Sequence, residues 1–142
     1  MKFIFIASLS EEERRTLKEN IGGDYQILEG GLDNSGLQFL KTLVPGIVLV
    51  GDNPSRTAWL EEAHKKNSAL TFLEICRGKN KSASIFYDCL QYPFVAGQVK
   101  KVLDRAWERS ALLMKVQAFK MQGVAEDDYI PQRSSYSFSS SR

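Results

Sequence analysis

The sequence alternates between short apolar runs and segments with helical spacing, and this alternation constrains the fold more than any other feature. Five runs have the length and composition of buried strands, at residues 3–7, 25–29, 47–50, 69–75 and 86–91. The segments that separate and follow them mostly place apolar side chains three or four positions apart, as amphipathic helices do. Strands that alternate with helices form a parallel sheet with helices on both faces. The chain is therefore predicted to fold into a three-layer α/β sandwich.

Capping residues mark where two of the helices begin. Ser10 and Glu13 have the spacing of a capping box, which opens a helix that ends near Asn20, before Gly22. Ser55 is predicted to cap the helix that follows the third strand.

The last helical pattern is long. It runs from Val95 to about Met121, which corresponds to ~40 Å at 1.5 Å per residue. A helix of this length is longer than one small sheet needs, so an extended C-terminal helix is predicted.

The composition fits one domain with its own core. The 142 residues are 43% hydrophobic and 25% charged. The formal net charge of +2 does not by itself indicate a nucleic-acid or membrane surface. No apolar run approaches the ~20 residues that a membrane span needs. With two cysteines in or beside apolar runs and no signal-like start, we expect a reduced, cytoplasmic protein.

The composition changes near residue 125. Residues 125–142 are rich in serine and have no periodicity, so burial cannot offset the entropy cost of ordering them. The predicted organisation is a domain over residues 1–124, including the extended helix, and a disordered tail over residues 125–142.

Two motifs relate this alternation to a known family. The third strand is preceded by proline in PGIVLV, and Tyr92-Pro93-Phe94 precedes the helical sequence VAGQVKKVLDRAWER. With five strands and interleaved helices, residues 2–110 resemble the receiver domain of bacterial two-component response regulators. The resemblance implies a five-stranded parallel sheet in the flavodoxin-like order 2-1-3-4-5.

The resemblance also assigns positions to a phosphorylation site. Receivers hold Mg²⁺ with acidic residues after the first strand, where this chain has Ala7 and Ser8. Their phosphoacceptor aspartate ends the third strand, where this chain has Gly51, with Asp52 one position later. Asp52 is interpreted as a turn residue, because a one-residue offset turns a side chain away from the acceptor's direction. A shortened loop would be needed to return it.

Two further positions of the site also differ from the family. Glu74 stands where receivers have the switch Ser or Thr, and Tyr92 stands where they have the lysine that contacts the phosphoryl group. Phosphoryl transfer to aspartate needs a hard cation with oxygen ligands and a positive group near the phosphoryl oxygens. The chain is therefore predicted to be a pseudo-receiver that is not phosphorylated. We expect no catalytic residue, no metal, no cofactor and no enzymatic activity.

Spacing agrees with this loss. The intervals from Gly51 to Glu74 and from Glu74 to Tyr92 are shorter than in the usual receiver pattern. A contracted fourth helix is expected.

An interaction surface is predicted on the last strand and helix. Receivers contact partners there, and large apolar side chains of this region are typical of interface hot spots. The predicted interface residues are Tyr92, Phe94, Trp107, Leu113, Val116 and Phe119. The expected partner is a protein, and a homodimer through the last helix is favoured. The alternative is that the helix bends back at Ser110 and packs on its own domain.

Two other functions stay open. The chain could be the N-terminal regulatory domain of a larger transcription regulator. It could also be a flavodoxin-like enzyme or small-ligand binder that uses Ser8, Asp52, Asn53 and Glu74 at the carboxyl edge of the sheet.

Local predictions concern a proline and the cysteines. The resemblance implies a cis peptide bond at Tyr92-Pro93. Cys76 and Cys89 are expected to be free thiols.

Overall fold

The chain forms five strands and four helices in the part that the structure describes. The computed structural model describes residues 2–42, 45–77 and 83–126, without the side chains of residues 121–126. The elements in chain order are β1 (Lys2–Ala7), α1 (Glu11–Asn20), β2 (Tyr25–Gly30), α2 (Asn34–Leu40), β3 (Ile47–Val50), α3 (Arg56–Lys66), β4 (Thr71–Cys76), β5 (Phe86–Gln91) and α4 (Ala96–Glu126).

All neighbouring strands are parallel, and their order is β2-β1-β3-β4-β5. The predicted α/β architecture, the strand order and the extended C-terminal helix are confirmed.

Two separate cores lie on the two faces of the sheet. Successive side chains of a strand point to opposite faces, so β1 contributes Ile4 to one core and Phe5 to the other. The first core packs against α1 and α4, and the second packs against α2 and α3. β3 is buried on both faces, as expected for a central parallel strand.

The predicted capping bonds form at the start of α1 but not at the start of α3. Ser10 and Glu13 form the complete capping box, and Gly22 follows the helix with φ at 78°, a conformation that glycine adopts easily. Ser55 precedes α3, but its side chain makes no capping hydrogen bond. The side chain of Asn53 accepts the Ser55 N–H at 2.8 Å. Ser55 is the N-cap residue of α3, as predicted, but it contributes no side-chain cap.

The connection between β4 and β5 is short. In its described part, residue 77 and residues 83–85, the chain forms no helix. Phe86 of β5 is nevertheless only 2% exposed, and the guanidinium of Arg56 lies 5.1 Å from the centre of its ring. A side chain of α3 therefore covers part of the surface that a fourth helix covers in a regular (βα)5 fold.

Helix α4 continues without interruption past the amino edge of the sheet. Ser110 lies inside it and is fully buried, so the alternative of a bend at Ser110 is wrong. The Ser110 hydroxyl accepts the Gly46 N–H at 2.8 Å and donates to the Ala69 carbonyl at 2.6 Å. These bonds fix the helix to the loops that precede β3 and β4.

The predicted domain boundary at residue 124 falls within α4. The predicted disordered tail lies, from residue 127 onward, outside the described residues. None of the helices in the described ranges has both the length and the apolar character needed to cross a bilayer.

Candidate functional site

The ends of three central strands bring the predicted site residues to one edge of the sheet. Ala7 of β1 pairs with Val50 of β3, which pairs with Glu74 of β4. Gly51 and Asp52 follow directly after β3. The carboxyl edge of a parallel sheet is where ligands bind in open α/β folds.

Gly51 sits where β3 leaves the sheet, against the turn after β1. Its N–H donates to the Ala7 carbonyl at 3.0 Å. A Cβ atom at this position would lie 2.2 Å from the Ser8 carbonyl oxygen. Ser8 itself has φ at 62°, which is unusual for a residue other than glycine. The backbone therefore leaves no room for a side chain at residue 51.

A buried ion pair occupies the space beside Gly51. Arg56 Nη2 lies 2.8 Å from Glu74 Oε1, and the two side chains are 15% and 4% exposed. Arg56 Nη1 donates to the Gly51 carbonyl at 3.0 Å. One guanidinium thus joins Glu74 of β4 to the turn that follows β3.

A second ion pair lies next to the first at the carboxyl edge of the sheet. Arg77 Nη2 lies 3.0 Å from Glu13 Oε2, while the other carboxylate oxygen of Glu13 accepts the Ser10 N–H. The Arg77 guanidinium also stacks over the Tyr92 ring, at 4.2 Å. Tyr92 therefore holds the Arg77 guanidinium at the carboxyl edge of the sheet.

Asp52 is exposed at the rim of a depression of about 300 Å³, which is lined by Glu13, Asp52, Arg56, Ile75 and Arg77. Among the described residues, no group of three or more His, Cys, Asp or Glu side chains could hold a metal ion.

The residues proposed for a small-ligand site are mostly engaged with one another. Asn53 Nδ2 donates to Ser8 Oγ at 3.0 Å, and Glu74 pairs with Arg56. Asp52 is the member that faces the depression.

The predicted interface residues fall into buried and exposed groups. Phe94 is 9% exposed and belongs to the core beside α4. Trp107 packs edge to face on Tyr25, with ring centres 6.5 Å apart. Leu113 is half-buried, whereas Val116 and Phe119 are exposed. Their roles in a contact stay predictions.

The peptide bond between Tyr92 and Pro93 is cis, which confirms the prediction for this bond. Tyr92 and Phe94 lie on either side of Pro93. Their rings meet edge to face at 5.0 Å. The Tyr92 N–H donates to the Cys76 carbonyl at 2.8 Å. These contacts fix Tyr92 against the end of β4.

An exposed apolar stripe runs along the second half of α4. Leu112, Val116 and Phe119 are 60%, 40% and 75% exposed. Their spacing of four and three positions places them on one face of the helix. The stripe lies beyond Ser110, where the helix passes the edge of the sheet.

Two important residues of the site were missed from the sequence. Arg56 looked like an ordinary first-turn residue of α3, and Glu13 was recognised only as a capping residue. The available signal was the acidic residue Glu74 near the end of a buried strand, because a buried carboxylate requires a cationic partner. Of the basic segment after β4, only Arg77 lies within the described residues.

Comparison with known proteins identifies the fold but no family. No protein-family model matches the chain, and no curated protein matches it. Adenylate cyclase from Rhodopirellula baltica has a similar crystal structure, with a TM-score of 0.68 and 14% identity over 84% of this chain and 97% of that chain.

NtrX from Brucella abortus is similar in two crystal structures. The complex with ATP has a TM-score of 0.63 and 21% identity, and the complex with ADP has a TM-score of 0.65 and 19% identity. Each covers 84% of this chain and 29% of the NtrX chain. NtrX is a response regulator, and this chain has the receiver-like fold.

Proposed function

We propose that this chain is a regulatory module that works through protein contacts and is not switched by phosphorylation after β3. The observation that carries the proposal is the Arg56 guanidinium, which bonds both Glu74 and the Gly51 carbonyl. A receiver uses these positions for its switch and its acceptor. In this chain the ion pair of Arg56 and Glu74 occupies the place that a phosphoryl group and its cation would take in a receiver.

The output surface of this proposal is the stripe of Leu112, Val116 and Phe119. It continues a pattern of alternating three- and four-residue steps that begins at Val102 and passes through Arg105 and Arg109. This is the repeat of a coiled-coil seam, and valine at one core position with leucine at the other favours two strands. We therefore propose a second copy of this chain as the partner.

The two arginines of this seam are held by β5. Arg105 Nη2 lies 3.5 Å from Asp88 Oδ2, and the Arg109 guanidinium lies 5.1 Å from the Tyr87 ring centre. The apolar contact is thus confined to the part of α4 beyond Arg109.

A second candidate is that this fold is one domain of a longer chain. The NtrX chains are longer than this one, and the matched part makes up 29% of the NtrX chain. A helix that leaves the domain at the amino edge of the sheet is a direct route to a following domain. In that arrangement the module is the N-terminal regulatory domain of a larger transcription regulator.

A small-ligand or enzymatic role has one supporting observation, the depression beside Asp52. Its cationic groups, Arg56 and Arg77, already pair with Glu74 and Glu13. A charged substrate would have to compete with these internal partners. The proposal therefore assigns no enzymatic activity to the edge.

Titration with beryllofluoride and Mg²⁺, followed by NMR of the backbone amides, tests the proposal. A receiver site gives saturable shifts around the ends of β1, β3 and β4, and this chain should give none. Saturable shifts centred on Asp52 would contradict the proposal.

A further inference from the structure

Cys76 and Cys89 lie side by side on neighbouring strands at the carboxyl edge. In the β4–β5 ladder, Cys89 stands opposite Glu74, and Cys76 stands opposite Gln91. Because strand side chains alternate, Cys76 and Cys89 project from the same face, offset by two residues in register. They are the only cysteines of the sequence.

The two thiols are diagonal neighbours on adjacent strands, and they differ in access to solvent. Cys76 is 6% exposed, whereas Cys89 is half-buried. The Gln91 amide nitrogen also donates to Cys89 Sγ, at 3.5 Å. A soluble oxidant therefore reaches Cys89 first.

Cys76 is held as a neutral thiol. Burial, followed by the contact with Cys89 and the charge of Glu74, raises its pKa to about 12. At neutral pH, Cys76 is therefore a poor first nucleophile and is placed to react second.

We propose that hydrogen peroxide converts Cys76 and Cys89 into an intramolecular disulfide, which makes this end of β4 and β5 a redox modification site. Cys89 loses its proton and attacks one peroxide oxygen, giving a sulfenic acid and releasing hydroxide, which takes up that proton as water. Cys76 sulfur then attacks Cys89 sulfur, and the sulfenic hydroxyl leaves with the Cys76 proton as water. The two thiols supply two electrons, and the peroxide is reduced to two water molecules.

The disulfide would change the structure next to the Arg56 and Glu74 ion pair. Strands ~4.8 Å apart with a two-residue offset place the two Cα atoms about 8 Å from each other. A disulfide needs less than about 7 Å, so the strand ends must move together. Cys76 is the last residue of β4, and its carbonyl accepts the Tyr92 N–H. Oxidation would therefore act on the same edge that phosphorylation controls in receivers.

Thiol counting on the full chain tests this site without any partner or phosphoryl donor, so its result is independent of the proposed function. The protein is treated with hydrogen peroxide, quenched with catalase, unfolded and titrated with Ellman's reagent. We expect both thiols to disappear, the intact mass to fall by two hydrogens, and dithiothreitol to restore both. The oxidised product should stay monomeric on a non-reducing denaturing gel.

Serine variants assign the two roles. In Cys76→Ser, peroxide should give a dimedone-reactive sulfenic acid at Cys89, because the second thiol is missing. In Cys89→Ser, the buried Cys76 should keep its thiol under the same treatment. Retention of both thiols in the wild type would overturn the proposal. Oxygen addition to Cys89 or a disulfide between two copies, without loss of two hydrogens from the monomer, would also overturn it.

Discussion

The guanidinium of Arg56 lies 2.8 Å from the carboxylate of Glu74, and both side chains are largely buried at the carboxyl edge of the sheet. The same guanidinium donates to the Gly51 carbonyl. A buried pair of this kind is costly to break, because removal of one partner leaves the other charge buried and unpaired.

Arg56→Ala should therefore destabilise the fold strongly. We expect a loss of roughly 3–5 kcal/mol in the free energy of unfolding, measured by urea denaturation. Arg14→Ala is the matched control, because the ion pair of Arg14 with Glu29 is exposed and such pairs contribute only about 0–1 kcal/mol. Equal losses in the two variants would show that the Arg56 pair has no special structural role.

Gly51→Ala should be the most damaging of the small substitutions. Its Cβ would lie 2.2 Å from the Ser8 carbonyl oxygen, which belongs to the backbone and cannot rotate away. The expected loss exceeds about 3 kcal/mol, well above that of an ordinary substitution. Gly97→Ala is the control, since open space surrounds Gly97 in the first turn of α4. A mild Gly51→Ala phenotype would mean that the edge is more open than described.

Ser110→Ala should loosen the attachment of α4. It removes the acceptor of the Gly46 N–H and the donor to the Ala69 carbonyl, both in the buried interior. We expect a loss of about 1–3 kcal/mol in the free energy of unfolding. Ser55→Ala removes a hydroxyl that makes no capping bond and should stay within ~0.5 kcal/mol of the wild type. If both variants unfold alike, Ser110 does not anchor the helix.

Leu112→Glu combined with Val116→Glu should abolish self-association and leave the melting temperature nearly unchanged. Both positions are exposed, whereas Leu113 is half-buried and would test the core as well. Sedimentation and thermal unfolding measure the two properties. Val95→Glu is the control, since Val95 is 58% exposed but precedes α4. A folded double variant that still associates would place the interface elsewhere.

Lys115→Glu identifies the partner of the same stripe. In a parallel pair of α4 helices, the exposed Lys115 and Lys120 flank the seam and face each other across the two copies, which is repulsive. Reversing one charge makes that contact attractive, so the variant should dimerise more tightly than the wild type at low salt. Weaker association would exclude a parallel second copy.

The sequence was sufficient to predict the architecture, because each strand is a short apolar run and each run is separated in the chain from the next. Ile47–Val50 has no polar residue, and that pattern alone indicates a central strand buried on both faces. The capping box of Ser10 and Glu13 fixed the start of α1 in the same local way.

The site could be predicted only in part, because its contacts connect distant residues. The identities of Gly51 and Tyr92 were enough to predict a loss of the receiver chemistry, and that loss stays a prediction. The pairing of Arg56 with Glu74 joins residues 18 positions apart in the sequence, and that of Arg77 with Glu13 joins residues 64 positions apart. Periodicity carries no information about such pairs, which depend on how α1, α3 and β4 come together.

The central claim is that the carboxyl edge cannot accept a phosphoryl group. It is tested most directly by incubating the chain with acetyl phosphate and Mg²⁺ and recording its intact mass. The account predicts an unchanged mass, because Gly51 offers no acceptor and Arg56 is already bound to Glu74. A stoichiometric phosphoryl adduct that hydroxylamine removes and that is absent from Asp52→Asn would contradict it.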